Sequence, residues 1–545
     1  MPIVPPSLSR RRLLLTSAGA AASHVIPALL VPNAAKAQSA AIVGSDGSRP
    51  MLTYGLQFGD PRLDSGRRGG AEASSSAIAW TRADRPSRLQ VEWSLAENFS
   101  NSQRLPALLL HSATDQTGRL DLTGLPAGQR IFVKMHAESL DIHRVKSEPV
   151  TGSFVTPSDH PEDLRFVWGG DTVGQGWGIS PSHGGMTIYR TMMEQGPDFF
   201  IHSGDTIYAD APVPAEQKLP DGSLWRNVVS EEKAKVAETL DEYRGNYRYN
   251  LMDDHLRGFN HQVPQIWQWD DHEVTNNWSD SKDLSANVLY REKNVTLLSA
   301  RASQAFREYA PMRLHGDEER DRIYRRLSYG PMLDLLMIDM RSYRGPNSSN
   351  LQPGYDRDAH FLGPAQVEWI KRNLKSSRAT WKVICADMPI GLQVGDGKNV
   401  NGEALWEAAA NGEPGRPLGR ELEIADLLAF IRREGIRNIV WLTADVHYCA
   451  AHHYSPERAT FKDFAPFWEF VAGPLHAGAF GPNIPDATFG LDVVFQRAPD
   501  TQNQPPTDQN QFFGQVDIDR QSRSMTVRLK DRTNASVYSR TLEAV

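Results

Sequence analysis

The chain has 545 residues, 40% hydrophobic and 23% charged, the composition of a soluble globular protein with room for two domains and a large core. A formal net charge of −7 offers no basic excess for gripping a phosphate backbone, so nucleic-acid binding is not expected. The balance suits a protein that keeps carboxylates for cations.

Arg10 to Arg12 precede an Ala-rich apolar run from Leu13 to Val31, and Ala35-Lys36-Ala37 offers a small-residue cleavage site. Paired arginines directly before an apolar run resemble a twin-arginine export signal, the route for proteins that fold before crossing. Residues 1–37 are read as such a signal peptide, recognised by the twin-arginine export machinery, and the remainder as periplasmic or secreted. A membrane anchor is the alternative; Pro27 and Pro32 interrupt it, and no later segment approaches about 18 consecutive apolar residues. No membrane span is therefore expected after signal removal.

Residues 38–157 are taken as one domain, in which residues 50 to about 157 alternate apolar and polar positions between Gly/Pro turns. The stretches "AIAWTRA", "RLQVEWSLA", "GRLDLTGL", "QRIFVKMHAE" and "EPVTGSFVTP" read as short antiparallel strands of a small N-terminal β-sandwich, fibronectin-like by analogy. The Pro- and Asp-rich "TPSDHPEDLR" marks its end. Residues 158–545 are taken as the second domain, and from about 164 the texture changes. "LRFVWGGD", "PDFFIHSGD", "VPQIWQWDDHE", "MLDLLMIDMR", "TWKVICADM" and "IRNIVWLTADVHY" are unbroken apolar runs, as in strands covered on both faces. Helix-like stretches lie between them, among them "EEKAKVAETLDEYRGNYRYNLM" and "RELEIADLLAFIRREG". The expectation is a layered α/β/α domain following the sandwich. Residues 408–419 and 498–511 read as surface loops. Cys385 and Cys449 sit in strand-like contexts and read as two buried thiols, with pairing as the alternative.

The chemistry lies in what the strand ends share. "GGDTVGQGW" carries Asp171, "SGDTIYAD" Asp205 and Tyr208, "WDDHEVTNNW" Asp270, Asp271, His272 and Asn277, "CADMP" Asp387, and "TADVHY" Asp445 and His447. Each alone is an ordinary cap, turn or core residue. Together at one sheet edge they would repel unless cations neutralised them.

This ordered series resembles the calcineurin-like metallophosphoesterases, and more closely their PhoD-type branch, whose blocks "HSGDTIYAD", "WDDHEVTNNW", "MIDMRSYRGP" and "ADVHY" match. The likeness is strong over about residues 160–480 and extends to the N-terminal sandwich. It implies that Asp205 bridges two cations. Asp171, Tyr208 and His447 would complete the first, where a phenolate favours ferric iron. Asp171 stands where members of this branch can carry Cys, so a thiolate ligand is not implied. Asp271 and Asp445 would join Asp205 on the second, with Asn277 as a further amide ligand and Asn276 holding the loop. Carboxylates here replace the superfamily's Asn and His, and Asp387 or a neighbour stands where another His is usual; oxygen donors favour calcium. Zinc, manganese or cobalt are alternative metals.

The resemblance further implies that His272 faces the leaving-group oxygen. Arg341 and Arg344 are candidates to grip phosphoryl oxygens, with an ion pair to Asp339 as the alternative. His476 is a candidate pocket residue. The implied activity is alkaline hydrolysis of phosphate monoesters, diesters or both by attack of a metal-activated hydroxide, in phosphate acquisition. A non-catalytic calcium-binding surface protein on a decayed scaffold is the competing expectation. The natural phosphate ester is left open.

Overall fold

The computed structural model describes residues 49–66, 72–315, 319 and 321–545. The export-signal reading of residues 1–37 lies outside the described residues. Among the latter, no helix is long and apolar enough to cross a membrane.

Two sheets face each other. The first has nine strands in the order Ser536–Leu542, Met525–Asp531, Phe512–Ile518, Leu164–Gly169, Phe199–Ser203, Gln265–Gln268, Gln57–Ser65, Ser74–Arg82 and Thr117–Pro126. The second has seven: Arg325–Ser328, Leu333–Met337, Trp381–Cys385, Ile439–Thr443, Phe467–Val471, Cys449–Tyr454 and Leu491–Arg497. Four consecutive strands of each are parallel: those beginning at Leu164, Phe199, Gln265 and Gln57 in the first, and at Leu333, Trp381, Ile439 and Phe467 in the second. Their carboxyl ends therefore open on the same edge.

Strand Phe199–Ser203 shows how the local pattern builds the layers. Phe199 and Ile201 point between the sheets, into a core with Trp168, Leu335, Met337, Val383 and Leu442. Phe200, one pleat over, packs with Tyr189 and Phe259 from helices Thr187–Met193 and Asp254–Gln262 on the outer face. Helices Leu240–Asn250 and Val295–Tyr309 extend that cover, and Pro364–Ser376 with Glu421–Arg433 cover the second sheet. The mixed α/β class stands, with a doubled sheet layer between the helices. An unbroken apolar strand reports that both faces are covered; a helix and a second sheet satisfy it equally.

One local expectation shifts, and the reading of two buried thiols stands. The helix foreseen from Glu231 begins only at Leu240, because Thr239 accepts the Glu242 backbone N–H while the Glu242 side chain returns to Thr239, a reciprocal cap that sets the start. Cys385 and Cys449 are both free and buried in the inter-sheet core.

Strands Ser87–Ser94, Gln103–Arg104, Leu108–Leu110, Arg130–Ser139 and Val150–Val155 form a five-stranded sheet that packs on Gln57–Ser65, Ser74–Arg82 and Thr117–Pro126 through Phe58, Ala79, Val91, Leu122, Val133 and Phe154. The last three of those strands also belong to the nine-stranded sheet, since Gly59 pairs in parallel with Gln265. A Cβ at Gly59 would meet the Pro311 carbonyl oxygen at 1.8 Å, so the contact requires glycine. The buried ion pair of Arg325 with Asp60, at 2.7 Å, crosses the same junction.

Candidate metal centre

Five central strands end alike. Asp171, Asp205, Asp270, Asp387 and Asp445 each lie two residues past the last residue of their strand. Asp171, Asp205, Asp445 and His447 adopt left-handed backbone, with φ of 70°, 52°, 64° and 62°, a conformation that non-glycine residues hold only when the surroundings enforce it. Gly204 is one enforcer: a Cβ there would lie 2.5 Å from Asp270 Cβ, so only glycine lets these two turns approach.

Ligand atoms of Asp171, Asp205 and His447 lie within 4.8 Å of one another, and all three side chains are buried. Tyr208 Oη is 2.7 Å from His447 Nε2 and donates to Asp171 Oδ1 at 3.4 Å. His447 Nδ1 donates to the Gly478 carbonyl, which leaves Nε2 as the nitrogen turned to the site. The Tyr208 ring is pressed by Gly174, where a Cβ would sit 2.7 Å from Cζ. Its carbonyl takes a 2.6 Å hydrogen bond from Lys233 Nζ, a buried amine that desolvation pushes down to about 7.

Asp205 also groups with Asp271 and His272, and Asp271 in turn with Asp270 and Asp445, at the same spacing. Asp205 Oδ2 and Asn277 Oδ1 are buried and have no hydrogen-bond partner. Burial drives the Asp205 acid well above the carboxylate range; Asp271, Glu273 and Asp171 add to this and His272 opposes it. Asp270 is raised likewise by burial, against Arg341 and with Asp387, Asp445 and Asp205. Buried acids so placed fit cations, which remove the repulsion and supply the partner their oxygens lack.

A model of the PhoD-like phosphatase family matches residues 166–529, and one of the PhoD-like phosphatase N-terminal domain matches residues 37–158. The chain belongs to the PhoD-like phosphatase family. Alkaline phosphatase D of Bacillus subtilis is 24% identical over 487 residues, covering 83% of this chain and 73% of that protein. The solved structure of PhoD matches with a TM-score of 0.64 at 19% identity, covering 92% of this chain and 94% of that one. A purple acid phosphatase from yellow lupin seeds matches at 0.54 and 14%, over 90% and 74%. The structural likenesses establish a shared fold. Family membership supports a metal-dependent hydrolase of phosphoric esters.

Around the centre of this PhoD-like chain, the surrounding residues differ from expectation in informative ways. Arg341 is fully buried, and its guanidinium is taken up by Asp270, by Asp387 at 3.1 Å and by Glu407 at 2.6 Å, with Asp271 and Asp445 at 3.8 and 3.9 Å. Arg341, expected as a candidate to grip phosphoryl oxygens, thus faces carboxylates on every side. Asp339, the foreseen ion-pair partner, instead accepts the backbone N–H groups of Arg341 and Ser342 and caps their turn. Arg344 keeps hydrogen-bonding capacity: Nη2 donates to the Glu407 carbonyl and the guanidinium lies over the Phe361 ring at 5.0 Å, while Nε and Nη1 have no hydrogen-bond partner. Burial and the Arg341 charge lower it to about 10. His476 lies outside the carboxylate groups, with Nε2 3.0 Å from the Gly178 carbonyl, and braces the loop after Asp171.

Two carboxylates beside the centre escaped the sequence reading. Asp210 Oδ1 lies 2.6 Å from His272 Nδ1, and Glu273 accepts the backbone N–H groups of Asp205, Thr206 and Asp270, tying two turns together. Both stand inside segments singled out above, "SGDTIYAD" and "WDDHEVTNNW"; the signal was a second acidic residue in each.

Proposed function

We propose that the chain is an exported, metal-dependent alkaline phosphatase and phosphodiesterase that releases phosphate from monoesters, diesters or both, for phosphate acquisition. The observation that carries this reading is the meeting of Asp171, Asp205 and His447 within 4.8 Å, beside a second carboxylate group that shares Asp205. Asp171, Asp205, Tyr208 and His447 would hold one cation, ferric iron by donor chemistry. Asp205, Asp271, Asn277 and Asp445 would hold another, calcium by the same reasoning, with zinc, manganese or cobalt as alternatives. When bound, such a pair supplies a water acidic enough to ionise near neutral pH and positive charge against the phosphoryl oxygens.

The protein groups do the rest. His272 has Nδ1 committed to Asp210, which leaves Nε2 to donate a proton to the departing alkoxide. Burial opposes its charged form, yet Asp210, Asp271 and Asp205 hold it protonated well above the ordinary imidazole range. Cations on Asp205 and Asp271 would cancel two of those carboxylates and leave Asp210 as the one that keeps the proton. The two open nitrogens of Arg344 support a grip on non-bridging phosphoryl oxygens. Export by the twin-arginine route rests on Arg10 to Arg12 and the apolar run that follows.

Exhaustive chelation tests the reading. Hydrolysis of p-nitrophenyl phosphate and its bis ester should vanish and return with iron plus calcium; release that survives chelation overturns the proposal. The ratio of the two restored rates gives the monoester-against-diester preference.

A further inference from the structure

An asparagine ligand binds a cation through its oxygen only, yet its amide can turn either end toward a site. The surroundings of Asn277 settle which end. Its Nδ2 donates to Asp396 Oδ1 at 2.9 Å and lies 3.4 Å from the Gly395 carbonyl, so that side holds acceptors alone. Lys282 Nζ stands 3.0 Å from each oxygen of Asp396. Asn347 Nδ2 adds bonds to Asp396 Oδ2 at 3.1 Å and to the Asn277 carbonyl at 3.0 Å. With the Asp396 and Lys282 side chains only 6% and 12% exposed, water competes little for these partners. On the other side, the Asn277 backbone N–H is held by Asp271 Oδ2, and its Oδ1 is buried without a partner.

We propose that Asp396 is a positioning residue: locked by Lys282 and Asn347, its carboxylate holds the Asn277 amide so that the oxygen, and not the NH2, is the end offered to a cation. This rests on Asn277 being a ligand, as read above. Asp396 reaches the site from hairpin Gly395–Lys398/Ala404–Trp406, 119 residues along the chain. Partners that orient a metal ligand in this way change metal affinity by about 10- to 100-fold.

Calcium titration calorimetry on the metal-stripped full chain tests it, with iron stoichiometry and circular dichroism measured alongside. Asp396→Asn preserves size but offers both a donor and an acceptor, so the lock is lost. Asp396→Leu with Lys282→Met removes the ion pair as a unit. Both should bind calcium about 10-fold or more weakly, with iron stoichiometry unchanged, a split that a loss of fold alone does not produce. Asn277→Ala separates the two layers of the argument. If it weakens calcium while the Asp396 variants bind like the parent, the inference fails and the ligand reading stands. If Asn277→Ala binds like the parent, the ligand reading fails and takes the inference with it. Should the Asp396 variants not fold, a structure of the unaltered calcium-loaded chain decides: Oδ1 on the ion with Nδ2 on Asp396 supports the proposal, and the reverse amide, or Asp396 itself on the ion, overturns it.

Discussion

Asp210 Oδ1 lies 2.6 Å from Nδ1 of His272, while its other oxygen takes the Asn276 backbone N–H at 2.7 Å. The second bond fixes the carboxylate, and the carboxylate fixes the ring. His272→Ala is expected to lower turnover about 10²- to 10⁴-fold, and Asp210→Asn by a smaller factor, with metal content near the parent's in both. The loss should be larger on an alkyl phosphate than on p-nitrophenyl phosphate, whose leaving oxygen needs no proton. Steady-state kinetics on both substrates, with metal analysis, check this; equal losses would remove His272 from the acid role.

Tyr208→Phe removes the phenol that stands 2.7 Å from His447 Nε2. A phenolate on ferric iron absorbs visible light by charge transfer, so the variant should lose that band and most of its iron. Optical spectra and metal analysis of parent and variant measure it. A band that survives in the variant places the phenolate elsewhere.

Arg341 and Arg344 should separate. Arg341→Met leaves Asp270, Asp387 and Glu407 buried without their shared cation, a loss of about 3–5 kcal/mol. Arg344→Met leaves no carboxylate stranded and should fold nearly as well while raising KM or lowering kcat. Denaturant unfolding and kinetics on the pair decide between the two assignments; a stable Arg341→Met protein with weak substrate binding would return Arg341 to the phosphate.

In the metal-free chain, burial raises the Asp205 and Asp270 acids well above the carboxylate range. An acid with a higher pKa folded than unfolded stabilises the fold fully below its unfolded value, about 4, and that contribution is lost as pH rises towards the folded value. Metal-stripped protein should melt lower at pH 8 than at pH 5. Added cations, which favour the ionised acids, should raise the melting temperature more at pH 8. An equal rise at both would count against the buried-acid account.

Glu421, the first residue of helix Glu421–Arg433, gives a second pH signature. Burial first, then Asp486, pushes its acid to about 8, although Oε2 accepts from Asn411 and the Leu418 backbone. Stability should fall as pH rises between the ordinary glutamate value and about 8. Glu421→Gln keeps both acceptor bonds, removes the charge and should flatten that slope, as denaturant midpoints across the interval would show.

Much of the centre was legible because chemistry and period coincided. Asp171, Asp205, Asp271, Asp445 and His447 each follow an apolar run within a few residues, and parallel strands bring such short steps to one edge. Tyr208 was singled out by the family resemblance, with its place three residues after Asp205 in support. Arg341 was not: its partners Asp270 and Asp387 lie 71 and 46 residues away, and one sequence shows the charges without saying which of them meet.

By itself, then, the order of residues determined which strands are covered on both faces, where each turn places a carboxylate, and hence that several acids need a counter-charge. Only the tertiary structure decided that a second sheet supplies one of those covers, that Arg341 pairs with Asp270, Asp387 and Glu407, and that Asp210 and Asp396 meet His272 and Asn277. Periodicity along a chain encodes burial, a one-dimensional property. The direction of a hydrogen bond between residues 62 or 119 positions apart depends on how whole layers pack.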